Sequence, residues 1–174
     1  MSDIQLPLYT PAKYFTWFDS PIGKLLLTGS DNALHKICFP QGRSPENPDD
    51  YWTCRPEAFT EVSHQLDRYF RGKTTEFDIP LAPDGTDFQI EVWQALQKIP
   101  YGQTCSYAAV AEQIGRPNAT RAVGNANGRN PIPIIIPCHR VIGRDGSLTG
   151  FGGGLPTKKF LLQLEDSDQL TLPL

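Results

Sequence analysis

The stretch Pro80–Thr86, PLAPDGT, separates two halves written in different hydrophobic patterns. Upstream, Lys13–Asp19 (KYFTWFD), Lys24–Thr28 (KLLLT) and Leu34–Phe39 (LHKICF) are short aromatic or apolar runs. Turn residues at Ser20–Gly23 and at Asp31 and Asn32 separate them, which predicts an antiparallel meander. Gln41–Asp50 is polar, holds two prolines, and reads as a loop. Phe59, Val62, Leu66, Tyr69 and Phe70 share one face of an expected helix over Phe59–Phe70. Thr75–Leu81 reads as one more strand. Downstream the spacing becomes helical. Phe88, Val92, Trp93, Leu96 and Ile99 form an apolar stripe over Thr86–Ile99, ended by Pro100–Gly102. Ser106–Ile114 predicts a short helix and Gly115–Asn118 a turn. Ala119–Asn127 predicts a further helix with Asn118 as its cap, and Lys158–Glu165 a last one. The fold class is therefore α/β (α+β), with an N-terminal unit over 1–85 and a mainly helical unit over 86–174.

A length of 174 residues suits one ordinary domain or two small ones. With 39% hydrophobic and 20% charged residues, a disordered chain is excluded. No run of about 18 apolar residues exists, so no membrane span is expected. The N-terminus, MSDIQLPLYTPAKYF, lacks a charged region followed by an apolar run, so no signal peptide is expected. A soluble intracellular protein follows, cytoplasmic, or nuclear in a eukaryote. The net charge of −3 argues against nucleic acid only while the halves are pooled. Residues 1–85 hold 8 basic and 12 acidic side chains, a net −4, whereas residues 86–165 hold 8 and 5, a net +3. The helix, glycine-containing turn and helix over Ser106–Asn127 match the helix-turn-helix plan. Many such hairpins never touch DNA.

The cysteines, Cys38, Cys54, Cys105 and Cys138, lie 16, 51 and 33 residues apart. None forms the close pair of a zinc site, and no secretory signal supports disulfides. No metal is expected; one thiol is free to react and the other three are expected to be buried. Cys138 stands in Asn130–Val141, NPIPIIIPCHRV. The isoleucines between prolines predict a buried wall or strand, and Pro137 gives the thiol a fixed direction. A free cysteine is most often a small buried hydrophobe. As a nucleophile it needs a base or a cation, since a free thiol is only a few per cent thiolate at neutral pH. His139 is adjacent, and adjacent side chains on a helix do not face each other, so a bridging water or a different local turn is required. Gly143–Gly154 carries six glycines in twelve residues, which fits either backbone approach to a ligand or a flexible turn.

The run IPCHRV, preceded by RAVGNANGRNP and followed by GFGGGLPTKKFLLQLE, resembles the O6-alkylguanine-DNA alkyltransferase family. The likeness runs from Thr86 to Glu165; upstream it rests on PIGKLLL and the strand–helix pattern. It implies a small ribonuclease-H-like α/β domain followed by a winged helix-turn-helix-like domain. It implies single-turnover transfer of an alkyl group from O6-alkylguanine in DNA, with O4-alkylthymine a possible second substrate, to the chain's own cysteine. In that reading Cys138 accepts the alkyl group, His139 acts as base through a water, Glu165 orients His139 and Asn130 braces the turn. Without the resemblance, Glu165 would be an ordinary helix-end acid. The target nucleotide must leave the stack. Arg121 would fill the gap and Tyr107 would help rotate the nucleotide. Ala119, Ala122, Gly124 and Ala126 would let their helix approach the minor-groove floor, which leaves little room for bulk.

The resemblance further implies a pocket lined by Tyr107, Pro133, Val141, Phe151 and Gly152. The carbonyls of Cys138 and Val141 would accept from the guanine amino group, and the Gly152 N–H would donate to O6. Some members carry a tyrosine at Phe151, a serine at Gly152 and a bulkier residue at Asn127, so this pocket would admit larger alkyl groups. No cofactor is implied. The partner is double-stranded DNA holding O6-alkylguanine and not a membrane, with the chain a monomer and cooperative assembly on DNA open. A non-catalytic alkyltransferase-like damage binder is the alternative; such proteins lack the acceptor cysteine, and Cys138 is present. A helix-turn-helix regulator would carry polar base-reading side chains where alanine and glycine stand here.

Overall fold

A computed structural model describes residues 11–41 and 47–166 of the chain. The start of the expected leaderless N-terminus, part of the loop Gln41–Asp50 and the tail after Asp166 lie outside the described residues. The first half builds a four-stranded sheet in the order β3-β2-β1-β4. Strands β1 (Tyr14–Ser20), β2 (Gly23–Gly29) and β3 (Leu34–Cys38) form the expected antiparallel meander. The central strand carries three consecutive buried leucines, Leu25, Leu26 and Leu27, as a strand covered on both faces must. A two-residue strand, β4 (Thr53–Cys54), lies parallel to β1 and was not expected.

Helix α1 (Thr60–Phe70) enters through a 3-10 turn at Pro56–Phe59 and buries Val62, Leu66 and Tyr69. Thr75–Leu81 is not a strand. Only Leu81 is bridged, to Leu34, through the Leu34 N–H to the Pro80 carbonyl and the Ala82 N–H to the Leu34 carbonyl. Pro80 has no N–H to extend that ladder.

The second half begins where Thr86 accepts from the Gln89 N–H while the Gln89 side chain returns to the Thr86 N–H, a capping box. Helix α2 (Asp87–Leu96) follows. The indole of Trp93 donates to the Ala126 carbonyl at 2.9 Å and ties α2 to α4. Ser106 caps α3 (Tyr107–Gln113). The next helix, α4 (Thr120–Gly128), has Ala119 at its N-cap with no side-chain cap. Asn118 does not cap it, because a 3-10 turn over Pro117–Ala119 already winds the chain into the helix. A short parallel pair, β5 (Cys105–Ser106) with β6 (Val141–Ile142), joins the start of α3 to the segment after Cys138. Helix α5 (Leu155–Glu165) closes the fold. Among the described residues no helix is long and apolar enough to cross a membrane.

One core runs through both halves, from Leu25 and Phe59 to Ile136 and Leu161. The Ile37 N–H donates to the Pro131 carbonyl, so β3 is bonded to the proline-rich segment.

Candidate active site

Asn130 holds the proline-rich segment in shape. Its Oδ1 accepts from the Ile132 N–H at 3.0 Å and its Nδ2 donates to the Ile136 carbonyl at 2.7 Å. The Ile136 N–H returns to the Ile132 carbonyl. One amide thus closes both ends of a loop whose prolines at 131, 133 and 137 supply no donors. Within it Ile134 sits at φ +77°, a region costly for a β-branched residue. The isoleucines form the expected buried wall, as turns and not as a strand. The wall ends in a 3-10 turn at Cys138–Arg140.

The next two side chains after Cys138 converge on Glu165 at the end of α5. The Glu165 carboxylate accepts His139 Nε2–H at 2.7 Å and Tyr69 O–H at 2.7 Å, both on Oε1. Arg140 donates Nε–H to Oε2 at 2.8 Å and an Nη2–H to Oε1 at 3.0 Å. The Gly102 N–H approaches Oε2 at 3.4 Å. Gly102 lies at φ +74°, and a Cβ there would stand 2.9 Å from the Glu165 carbonyl oxygen, so the turn after α2 needs glycine. Burial pushes the Glu165 carboxyl up, but the donors from His139, Arg140 and Tyr69 outweigh it and bring it down to about 2. Burial lowers His139 against the pull of Glu165. An ionised Glu165 facing a neutral imidazole requires the proton on Nε2. The lone pair then sits on Nδ1, which is buried and takes no hydrogen bond from any described residue.

Cys138 is 4% exposed. Burial raises its thiol to about 11, opposed by the Asn130 side chain and the charge of Lys158. Lys158 is itself fully buried, its ammonium donating to the carbonyls of Val141 at 2.5 Å and Thr149 at 2.9 Å. Its own ionisation is lowered by burial, with Cys138 opposing. Among the described residues no hydrogen bond joins the thiol to the His139 ring, as the adjacency argument requires.

A cavity of about 750 Å³ opens over Cys138. Asn127, Asn130, Pro133, Phe151 and Gly152 line it from the second half, and His35, Cys38 and Phe39 from β3 and its end. The Phe39 ring packs on Phe151 at 5.5 Å and lies where a Cβ on Gly153 would stand, so position 153 fits against the sheet only as glycine. Tyr107 and Val141 do not line this cavity. Tyr107 packs beside Gly124 with its hydroxyl held by the Thr149 carbonyl at 3.2 Å, and Val141 is drawn inside by β6. The carbonyls expected to receive a guanine amino group already accept, Val141 from Lys158 and Cys138 from Asn127 at 3.4 Å. The Cys138 carbonyl also accepts the Val141 N–H, so both of its lone pairs are taken.

On α4, Arg121 and Ala122 are exposed, and Ala119 and Gly124 half-buried. Ala126 is 2% exposed, so it belongs to the core and not to a groove-facing surface. Helical spacing puts Asn125 outside and turns Ala126 inward with Val123. The cysteines also depart from expectation. Cys138 is the buried one, whereas Cys38 and Cys105 are half-buried and Cys54, on the short outer strand β4, is exposed. Three side chains that build the site have no role assigned from the sequence: Arg140, Lys158 and Tyr69. A charged residue inside PCHRV and another at the start of an apolar helix were usable signals; Tyr69 carried none.

These elements define a protein with a buried thiol, a neutral imidazole held by a carboxylate, and a helix-turn-helix beside them. The chain and its fold are similar to known proteins. Residues 13–83 match the family model "6-O-methylguanine DNA methyltransferase, ribonuclease-like domain". Residues 87–167 match "6-O-methylguanine DNA methyltransferase, DNA binding domain". A methylated-DNA–protein-cysteine methyltransferase of Methanosarcina acetivorans is 51% identical over 88% of this chain and 99% of that protein. The one from Mycobacterium tuberculosis is 51% identical over 88% of this chain and 93% of its own. The crystal structure of Mycobacterium tuberculosis OGT in complex with DNA superposes with a TM-score of 0.83, at 51% identity, over 88% of this chain and 93% of that one. The chain belongs to the 6-O-methylguanine DNA methyltransferase family.

Proposed function

We propose that this chain repairs DNA by moving the alkyl group of O6-alkylguanine onto Cys138, once per molecule. The observation that carries the mechanism is the bond between His139 and Glu165. It fixes the imidazole tautomer and leaves a basic lone pair on Nδ1, one residue from the thiol. A thiol raised to about 11 is protonated at neutral pH, so the site needs that base. The proton of Cys138 passes through a water to His139 Nδ1. The thiolate sulfur attacks the alkyl carbon, an S–C bond forms and the C–O6 bond breaks. Its electron pair goes to the guanine, which takes up the proton and leaves neutral. The thioether is stable, so transfer ends the molecule's activity.

In this reading Asn130 braces the loop behind the thiol, and Pro133, Phe151 and Gly152 face the base. The Gly152 N–H donates to O6 as it leaves. Duplex DNA meets the outer face of α4, where Arg121 occupies the vacated stack and Ala122 permits close approach from the minor groove. Tyr107, at the start of α3, assists rotation of the nucleotide. The chain acts as a monomer in the cytoplasm, or the nucleus of a eukaryote. Division into units at 1–85 and 86–174 belongs to the same proposal. Phe151 and Gly152 make the pocket more open than a tyrosine and a serine would, so benzyl transfer is expected to outpace that of a relative bearing those residues; equal or slower transfer would count against it.

The test is single-turnover repair of an O6-methylguanine duplex. Restored guanine should rise to one equivalent per protein and stop. Continued turnover, or tight binding with no restored guanine, would reject the proposal.

A further inference from the structure

We infer that Tyr69, from the sheet-bearing half, is a positioning residue for the His139–Glu165 pair, its phenol sharing Glu165 Oε1 with the imidazole. This rests on the relay proposed above and extends it to a residue 96 positions away in sequence. Two bonds of 2.7 Å meet on the one oxygen, from Tyr69 O–H and from His139 Nε2–H. The phenol is fully buried at the penultimate position of α1. Phe70, Phe77 and Tyr101 surround its ring, with centroids 5.4, 5.4 and 6.2 Å away. Those contacts would hold a phenylalanine ring equally well. The hydroxyl is what the packing does not require, and it is spent on the oxygen that orients the base.

Consequences follow from charge. A donor on Oε1 draws negative charge away from the imidazole, so Tyr69 makes Glu165 a weaker partner for an imidazolium. The other groups around this carboxylate are fixed on their own partners. Arg140 and the Gly102 N–H face Oε2, and Arg140 also reaches Oε1. The Tyr101 hydroxyl donates to the Leu164 carbonyl. Lys158 is tied to the Val141 and Thr149 carbonyls, with Cys138 on its side of the site. None of them supplies a second hydroxyl to Oε1. The sheet-bearing half would therefore tune the base, and not merely support the helical half.

The test follows single-turnover methyl transfer from an O6-methylguanine duplex against pH, in the full chain. Glu165→Gln should slow transfer by about a hundredfold. Tyr69→Phe keeps the ring and should move the acid limb of the profile to higher pH, by about half a unit or more, because the imidazole is protonated sooner. Site-specific 3-fluorotyrosine at Tyr69, a stronger donor of the same shape, should move it to lower pH; this arm stands if the phenylalanine variant does not fold. Superimposable profiles for both Tyr69 variants, with Glu165→Gln slow, would overturn the inference and leave the relay intact. A Glu165→Gln chain as fast as wild type would remove the relay itself.

Discussion

Around Glu165 both carboxylate oxygens are taken, by Tyr69, His139, Arg140 and Gly102, and the group is 1% exposed. On the outer face of α4, Arg121, Ala122 and Asn125 are exposed, and the helix has no side-chain cap among the described residues. The two regions differ in what they must tolerate. The proton relay proposed above works only if distances are fixed, and Glu165 is accordingly buried with both oxygens hydrogen-bonded. The DNA face proposed for α4 gains from small side chains and loses from rigid, base-specific ones. Changes at the relay should therefore cost stability and chemistry together. Changes on α4 should cost duplex recognition alone.

Glu165→Ala is the severest way to break this contrast. It leaves Arg140 buried without its carboxylate and should lower unfolding free energy by about 3–5 kcal/mol in urea titration. Acid should act on the same cluster. His139 is depressed by burial, so its contribution is complete above the usual 6.5 and is lost as pH falls below that value. Glu165 adds a second loss from 4.5 down to about 2. Thermal melts should therefore show stability falling in two stages on acidification, and a melt independent of pH from 7 to 4 would contradict the ionisations assigned here.

Two alanines on one helix sharpen the comparison. Ala126→Leu should overpack the core and cost about 1–3 kcal/mol. Ala122→Leu should leave the melting temperature unchanged and weaken duplex binding. Equal destabilisation by both would erase the distinction between inner and outer faces. The smallest effect expected is that of Arg121→Ala. It should slow transfer from duplex by about tenfold, since flipping costs a few kcal/mol, while reaction with free O6-benzylguanine stays within about twofold. Equal slowing with both substrates would move Arg121 from the stack to the pocket.

Much of this was legible in the residues because it is local. The meander from Lys13 to Phe39, the α2 stripe from Phe88 to Leu96 and the Thr86 boundary follow from spacing and turn chemistry. Cys138, His139 and Glu165 were singled out together because the motif around them is specific. Failures came where tertiary contacts outweigh local pattern. Thr75–Leu81 has strand residues but only one bridged neighbour. Asn118 is a good cap displaced by a 3-10 turn. Ala126 resembles its neighbours on a small-residue helix, and only its burial in the core, at 2% exposed, sets it apart. Tyr69 was read as one more core aromatic, since no local signal says that a helix in the first half ends against a carboxylate 96 residues on.

The most direct measurement is the mass of the peptide that carries Cys138 after reaction with an O6-methylguanine duplex. One added methyl on Cys138, absent from the other three cysteine peptides and from the Cys138→Ala chain, is the expected result. An unmodified Cys138 peptide from protein that has bound the duplex would contradict transfer to this thiol.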